Sequence, residues 1–97
     1  MKILWSPLAR RDLVHVEAHI RRDDPRVAAA VADKIKRATR NLADFPGSGR
    51  PGRWPGTREL VVPGTPYIIP YTVRNEEVWI IAVLHAARRW PEPPDEG

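Results

Sequence analysis

The chain has 97 residues, 42% hydrophobic and 29% charged, with no cysteine, which describes one small domain and leaves no room for two independent cores. Lack of cysteine excludes a disulfide scaffold, a thiol nucleophile and thiolate metal sites. Sixteen Lys and Arg against twelve Asp and Glu give a net charge of +4. The last seven residues hold Glu92, Asp95 and Glu96 and no base, so the preceding ninety carry sixteen bases against nine acids, +7. Such a body suits phosphate backbones or an acidic protein. A composition that favours Arg, here thirteen to three Lys, gives the same balance without such a role. The longest apolar run, Val78–Leu84, has seven residues, against the ~20 that span a bilayer. Ser6-Pro7 closes Met1–Trp5 before a signal-peptide core forms, so no membrane contact and a cytoplasmic location are expected.

Lys2–Trp5 reads as a short strand. Ser6 can cap a helix and Pro7 fits its first position, where a missing N–H costs nothing. Ala9, Leu13, Val16 and Ile20 then mark one apolar stripe. Asp23-Asp24-Pro25 breaks this helix and starts the next, with Asp24 as cap. Ala28, Val31, Ile35, Ala38, Leu42 and Phe45 form the second stripe, so the two helices pair as an antiparallel hairpin. Pro46–Pro66 holds five Pro and five Gly in twenty-one residues, and its Pro46–Thr57 part reads as a loop. Arg58–Val62 and Tyr67–Val73 are strands, the second requiring an edge or a bulge at Pro70. Arg74–Glu77 is a hairpin turn, and Val78–Leu84 the most hydrophobic strand, placed centrally. The fold class is therefore α+β, in the order β-α-α-β-β-β: a curved antiparallel sheet with a helical hairpin on one face. One domain, 1–90, is followed by a Pro- and acid-rich tail, 91–97, expected to be loose.

Two segments could carry chemistry. In the basic loop 47–58, glycines admit an anion to the backbone, Arg50, Arg53 and Arg58 can contact phosphate, and Trp54 can stack on a base. The P-loop order is absent, and nothing in the pattern points to a cofactor. Alternatively, the arginines are solvated and Trp54 packs on the sheet. Closing the last strand, His85-Ala86-Ala87-Arg88-Arg89-Trp90 places a titratable ring, two cations and an aromatic at one rim. A structural His85 and a Trp90 covering the core are the alternative. His15 and His19 have metal-chelating spacing, but no acid stands in the His-Glu-x-x-His position, so a solvated face is expected and no metal. Only Ser6 and Ser48 are available as serines, which disfavours a Ser-His-Asp hydrolase.

Ile3-Leu4-Trp5-Ser6-Pro7 with Ala9 and Asp12-Leu13 resembles the opening of the RelE/ParE superfamily of toxins from type II toxin–antitoxin modules. Leu42–Pro46, Gly49–Gly52, Gly56–Leu60, Tyr67–Val73 and Val83–Arg88 continue that resemblance in order over residues 2–91. It implies the same fold and an acidic antitoxin as partner in a hetero-oligomer. It further implies one of two targets. RelE-like members are metal-independent mRNA endoribonucleases (mRNA interferases) that cut in the ribosomal A site by 2′-hydroxyl attack, whereas ParE-like members inhibit DNA gyrase without nuclease activity. The overall pattern looks more like the RelE branch, often described with plasmid-stabilisation toxins. Of the RelE basic residues, one maps onto Arg88, while those on the strands fall at Glu59, Val61 and Ile68 and are lost. On the nuclease reading, His85, Arg88 and Arg58 are the catalytic candidates, and Arg50, Arg53, Arg89, Trp54 and Trp90 the RNA-binding ones. A protein interface without proton chemistry is the rival use of the same rim.

Overall fold

The computed structural model describes residues 1–94. Strands β1 (Lys2–Trp5), β2 (Arg50–Pro51), β3 (Arg58–Val61), β4 (Tyr67–Arg74), β5 (Glu77–Ile80) and β6 (Leu84–His85) accompany helices α1 (Pro7–Arg21) and α2 (Pro25–Asn41). Both helices start where capping chemistry places them. Ser6 Oγ accepts the Ala9 N–H at 3.0 Å, and Asp24 Oδ1 accepts those of Arg26 and Val27. Ala9, Ile35 and Leu42 are fully buried, with Leu13, Val16, Ile20, Val31 and Ala38 packed around them. Phe45, expected to end the second stripe, is 66% exposed. The N–H groups of Leu42, Ala43 and Asp44 each bond three residues back, to Thr39, Arg40 and Asn41, and this tighter last turn takes Phe45 out of the helical phase.

The sheet runs β1-β5-β4-β3-β2, with β6 also paired to β4. It is not wholly antiparallel: β1 lies parallel to β5, with α1, α2 and strands β2 to β4 between them in the chain. The supposed loop contains β2, paired to β3 through Arg50↔Glu59 and Pro51↔Arg58. Asn75 and Glu76 both have positive φ (50° and 60°), the backbone that closes a tight hairpin between β4 and β5. On β4, Tyr67, Ile69 and Tyr71 face the helices, so by alternation Ile68, Pro70 and Thr72 face the opposite, outer side. No helix of the described residues is long and apolar enough to cross a membrane.

The expected single strand 78–84 is instead split at 81–83, and β4 is the strand with most partners. Pro70 explains why. It lies inside β4, fully buried, with its carbonyl accepting the Ile81 N–H at 2.9 Å. A residue's N and O point to the same side of a strand, so the missing Pro70 N–H faces this break and leaves no ladder carbonyl unanswered. The start of α1 serves the break from the other side. Ser6 donates its N–H to Ile80 O and its hydroxyl to Ile81 O, and Asp12 Oδ2 accepts the Val83 N–H at 2.9 Å.

Burial pushes the Asp12 carboxyl above the usual carboxylate range, against the Val83 hydrogen bond and the nearby His15 and Arg11, which pull it down. A raised folded value means that the native chain binds this proton more tightly than the unfolded one. Its contribution to stability is therefore full below the unfolded carboxylate range and is lost as pH rises through the folded value. Asp12→Asn keeps an acceptor for Val83 but removes the charge. In urea unfolding across the acidic range, the variant should gain on the native chain as pH rises; a difference independent of pH would contradict this.

Candidate functional site

Residues paired across an antiparallel ladder share a face, and this rule divides the sequence-predicted set. Arg50 pairs with Glu59, and Glu59 with Pro70, so both project from the outer face. Arg58 pairs with Tyr71, and His85 with Tyr67, which places these two on the helix side. The sequence-predicted residues therefore fall on both faces of the sheet, with Trp90 touching both groups.

The outer group is organised by Glu59, whose side chain is only 2% exposed. Its Oε1 accepts from Arg50 Nε and Nη2 at 3.3 and 3.2 Å. Its Oε2 accepts the Arg53 backbone N–H at 2.7 Å, with Arg53 Nε at 3.7 Å. Taking a carboxylate out of water is favourable only with such compensation. The Arg53 guanidinium also lies over the Trp90 ring, 3.9 Å from its centroid, and Trp90 meets buried Trp54 edge-on at 5.6 Å. These contacts fasten the residues after β6 to the loop 52–57, which Thr72 Oγ1 holds through Gly56 O. Trp54 thus packs on the sheet rather than standing out towards a base. None of the four tryptophans is exposed.

Arg58 serves the neighbouring turn. Its Nη1 donates to Gly49 O at 2.8 Å and Gly47 O at 3.5 Å. Tyr71 joins it, donating its hydroxyl to Pro46 O and accepting the Gly49 N–H. A Cβ on Gly49 would lie 2.7 Å from the Tyr71 ring and hydroxyl, so glycine is required for this approach.

On the helix side, His85, Arg88, Arg89 and Trp90 line one wall of an open cleft of about 480 Å³. Asp12, His15, His19 and Arg22 line the other, from α1. His85 stands edge-on to Tyr67 at 5.6 Å, and its Nδ1 accepts the Ala87 N–H at 3.1 Å, which leaves the ring proton on Nε2. The sequence reading missed that His15, His19 and Arg22 belong with His85. Their spacing put them on one helix face, but only the parallel crossover brings that face to β6. Among the described residues, no group of three or more His, Cys, Asp or Glu is placed to hold a metal ion.

Removing the Glu59 carboxylate should unfasten the outer group. Glu59→Ala orphans the Arg53 N–H and leaves two half-exposed guanidiniums unpaired, a loss of about 1–3 kcal/mol in chemical unfolding. Glu59→Gln, which keeps an acceptor, should lose less; equal stability of all three chains would deny Glu59 this role.

The sequence compares closely with proteins that carry toxin names. The family described as "ParE toxin of type II toxin-antitoxin system, parDE" matches residues 3–90. Y4kP of Sinorhizobium fredii is 46% identical over 91 residues, 94% of each chain. Toxin RelE2 of Caulobacter vibrioides is 33% identical over 87 residues, 90% of this chain and 97% of its own. Among solved structures, a chain of the chromosomal ParDE TA system from P. aeruginosa superposes with a TM-score of 0.79 at 26% identity, covering 88% of this chain and 95% of that one.

Proposed function

Because this chain belongs to the ParE toxin family of type II toxin–antitoxin systems, we propose that it poisons its target by binding, as a ParE-like inhibitor of DNA gyrase, and not by cutting RNA. The Glu59 clasp carries this reading. Where the RelE resemblance calls for bases on the strands, this chain has Glu59, Val61 and Ile68. The carboxylate there draws Arg50 and Arg53 into its own ion pairs, and Arg58 is bound to loop carbonyls on the other face. Phosphoryl transfer needs cations free to meet charge as it develops, and these three arginines are engaged in holding the scaffold.

One observation favours the second reading, a ribosome-dependent nuclease: His85 and Arg88 share a cleft. In it, His85 offers a neutral Nε2–H donor, since Nδ1 is occupied by Ala87. Asp12 and the other two histidines of the cleft are the groups that a general base would have to come from.

The partner follows from the family and from charge. The structural neighbour comes from a ParDE system, and a body of +7 before the last seven residues attracts an acidic antitoxin. Trp5, Leu13 and 62%-exposed Val14 line a groove between β1, α1 and α2 together with Arg10, Lys36 and Arg40 and one acid, Glu17. An antitoxin segment with apolar anchors and flanking acids would complement it.

The target is tested by expressing the toxin, mapping mRNA 5′ ends and, in parallel, assaying purified gyrase. Intact transcripts with inhibited supercoiling are expected. New 5′ ends in ribosome-bound mRNA, with supercoiling unaffected, would overturn the proposal in favour of the nuclease.

A further inference from the structure

The outer face of the sheet carries a groove that neither reading of the function uses. Trp79 of β5 pairs with Thr72 of β4, so its half-buried ring stands on the same outer face as Thr72. Loop 52–57, held to Thr72 through Gly56 O, brings buried Trp54 and exposed Pro55 alongside. With Pro7 from the start of α1, these residues bound a groove of about 520 Å³. Two more of its lining residues come from the segment after Trp90: exposed Pro93 and half-buried Pro94.

The wall selects by what it withholds. Ser6, Thr57 and Thr72 each donate their hydroxyl proton to a backbone carbonyl of the chain itself, those of Ile81, Trp54 and Gly56. Arg74 is the one charged lining group among the described residues, and it lies over the Trp79 ring at 5.8 Å. The remaining surface is indole, proline and aliphatic side chain. Such a wall disfavours a segment whose backbone N–H groups would go unanswered. Proline brings no N–H, its φ is fixed beforehand, and proline-rich segments dock in aromatic-lined grooves as preformed extended helices. This chain already places prolines there, from the sequence Pro91-Glu92-Pro93-Pro94. With both in place the groove keeps its volume of about 520 Å³, inside the roughly 300–1,000 Å³ of small-molecule sites. The chain's own prolines therefore fill only part of it.

We propose that this groove is a docking slot for an extended, proline-bearing segment of a partner protein, and that Pro93 and Pro94 obstruct it from within the same chain. The inference does not depend on which target the toxin poisons. A tethered segment competes at a high effective concentration, of millimolar order for a short connection, so an outside segment binds by displacing it. The displacement leaves the core untouched. Trp90 stays fastened by Arg53 and Trp54, and only the residues beyond it have to move.

The probe is a synthetic peptide, Pro-Glu-Pro-Pro-Pro-Glu-Pro-Pro, titrated into the full chain and followed by NMR at the tryptophan indoles. Saturable shifts centred on Trp79 and Trp54 are expected. Pro93→Ser with Pro94→Ser weakens the internal competitor and lies outside the core. It should tighten binding about tenfold, the factor for a slot otherwise open about one-tenth of the time. A control peptide with alanine at every proline should leave both indoles unmoved. Absence of saturable shifts in both chains, or shifts centred on another surface, overturns the docking slot. Equal affinity of the native chain and the double variant overturns the obstruction by Pro93 and Pro94. Equal binding of the alanine peptide overturns the recognition of proline.

Discussion

A carboxylate removed from water on an exposed sheet face must be answered by donors, and Glu59 determines much of what surrounds it. Two guanidiniums and a backbone N–H converge on its oxygens. From there the order propagates outward: Arg53 covers Trp90, and Trp90 meets Trp54. A Pro- and Gly-rich loop with little regular structure of its own is thereby joined to the end of the chain. A base at position 59 would repel Arg50 and Arg53, and the loop would have to be held some other way. One acidic residue thus holds the loop and the residues after β6 together.

The second constraint is Pro70 in the middle of the sheet. With no N–H to give, it is accommodated where β5 stops and β6 begins, and the start of α1 fills the gap through Ser6 and Asp12. This ties the helix to the far end of the sheet. It also brings His15, His19 and Arg22 opposite His85, Arg88 and Arg89.

Local chemistry explains which parts were legible beforehand. Ser6-Pro7 and Asp24-Pro25 announce helix starts because capping and proline act within a few residues. Both apolar stripes, the β4–β5 turn and the disturbance that Pro70 imposes on the sheet are local for the same reason. The parallel β1–β5 pairing, the split of the last strand and the pairing of β2 depend on contacts between residues far apart in sequence, and no short-range pattern encodes them. The candidate site divides the same way. His85, Arg88, Arg89 and Trp90 are neighbours in the chain and stay together. Arg58 and Arg50, read as one basic loop, point to opposite faces because strand alternation separates them once β2 and β3 pair. Glu59 was visible only as a lost base, since its burial and its two arginine partners emerge with the fold.

The account rests most heavily on Arg50, Arg53 and Arg58 being structural. NMR of their side chains during addition of a short single-stranded RNA tests this directly. If the clasp and the loop carbonyls hold them, their signals remain ordered and unshifted while RNA is added. If those three arginines show the largest saturable shifts, Arg50 and Arg53 leaving Glu59 and Arg58 leaving the loop carbonyls, they bind phosphate and the account is wrong.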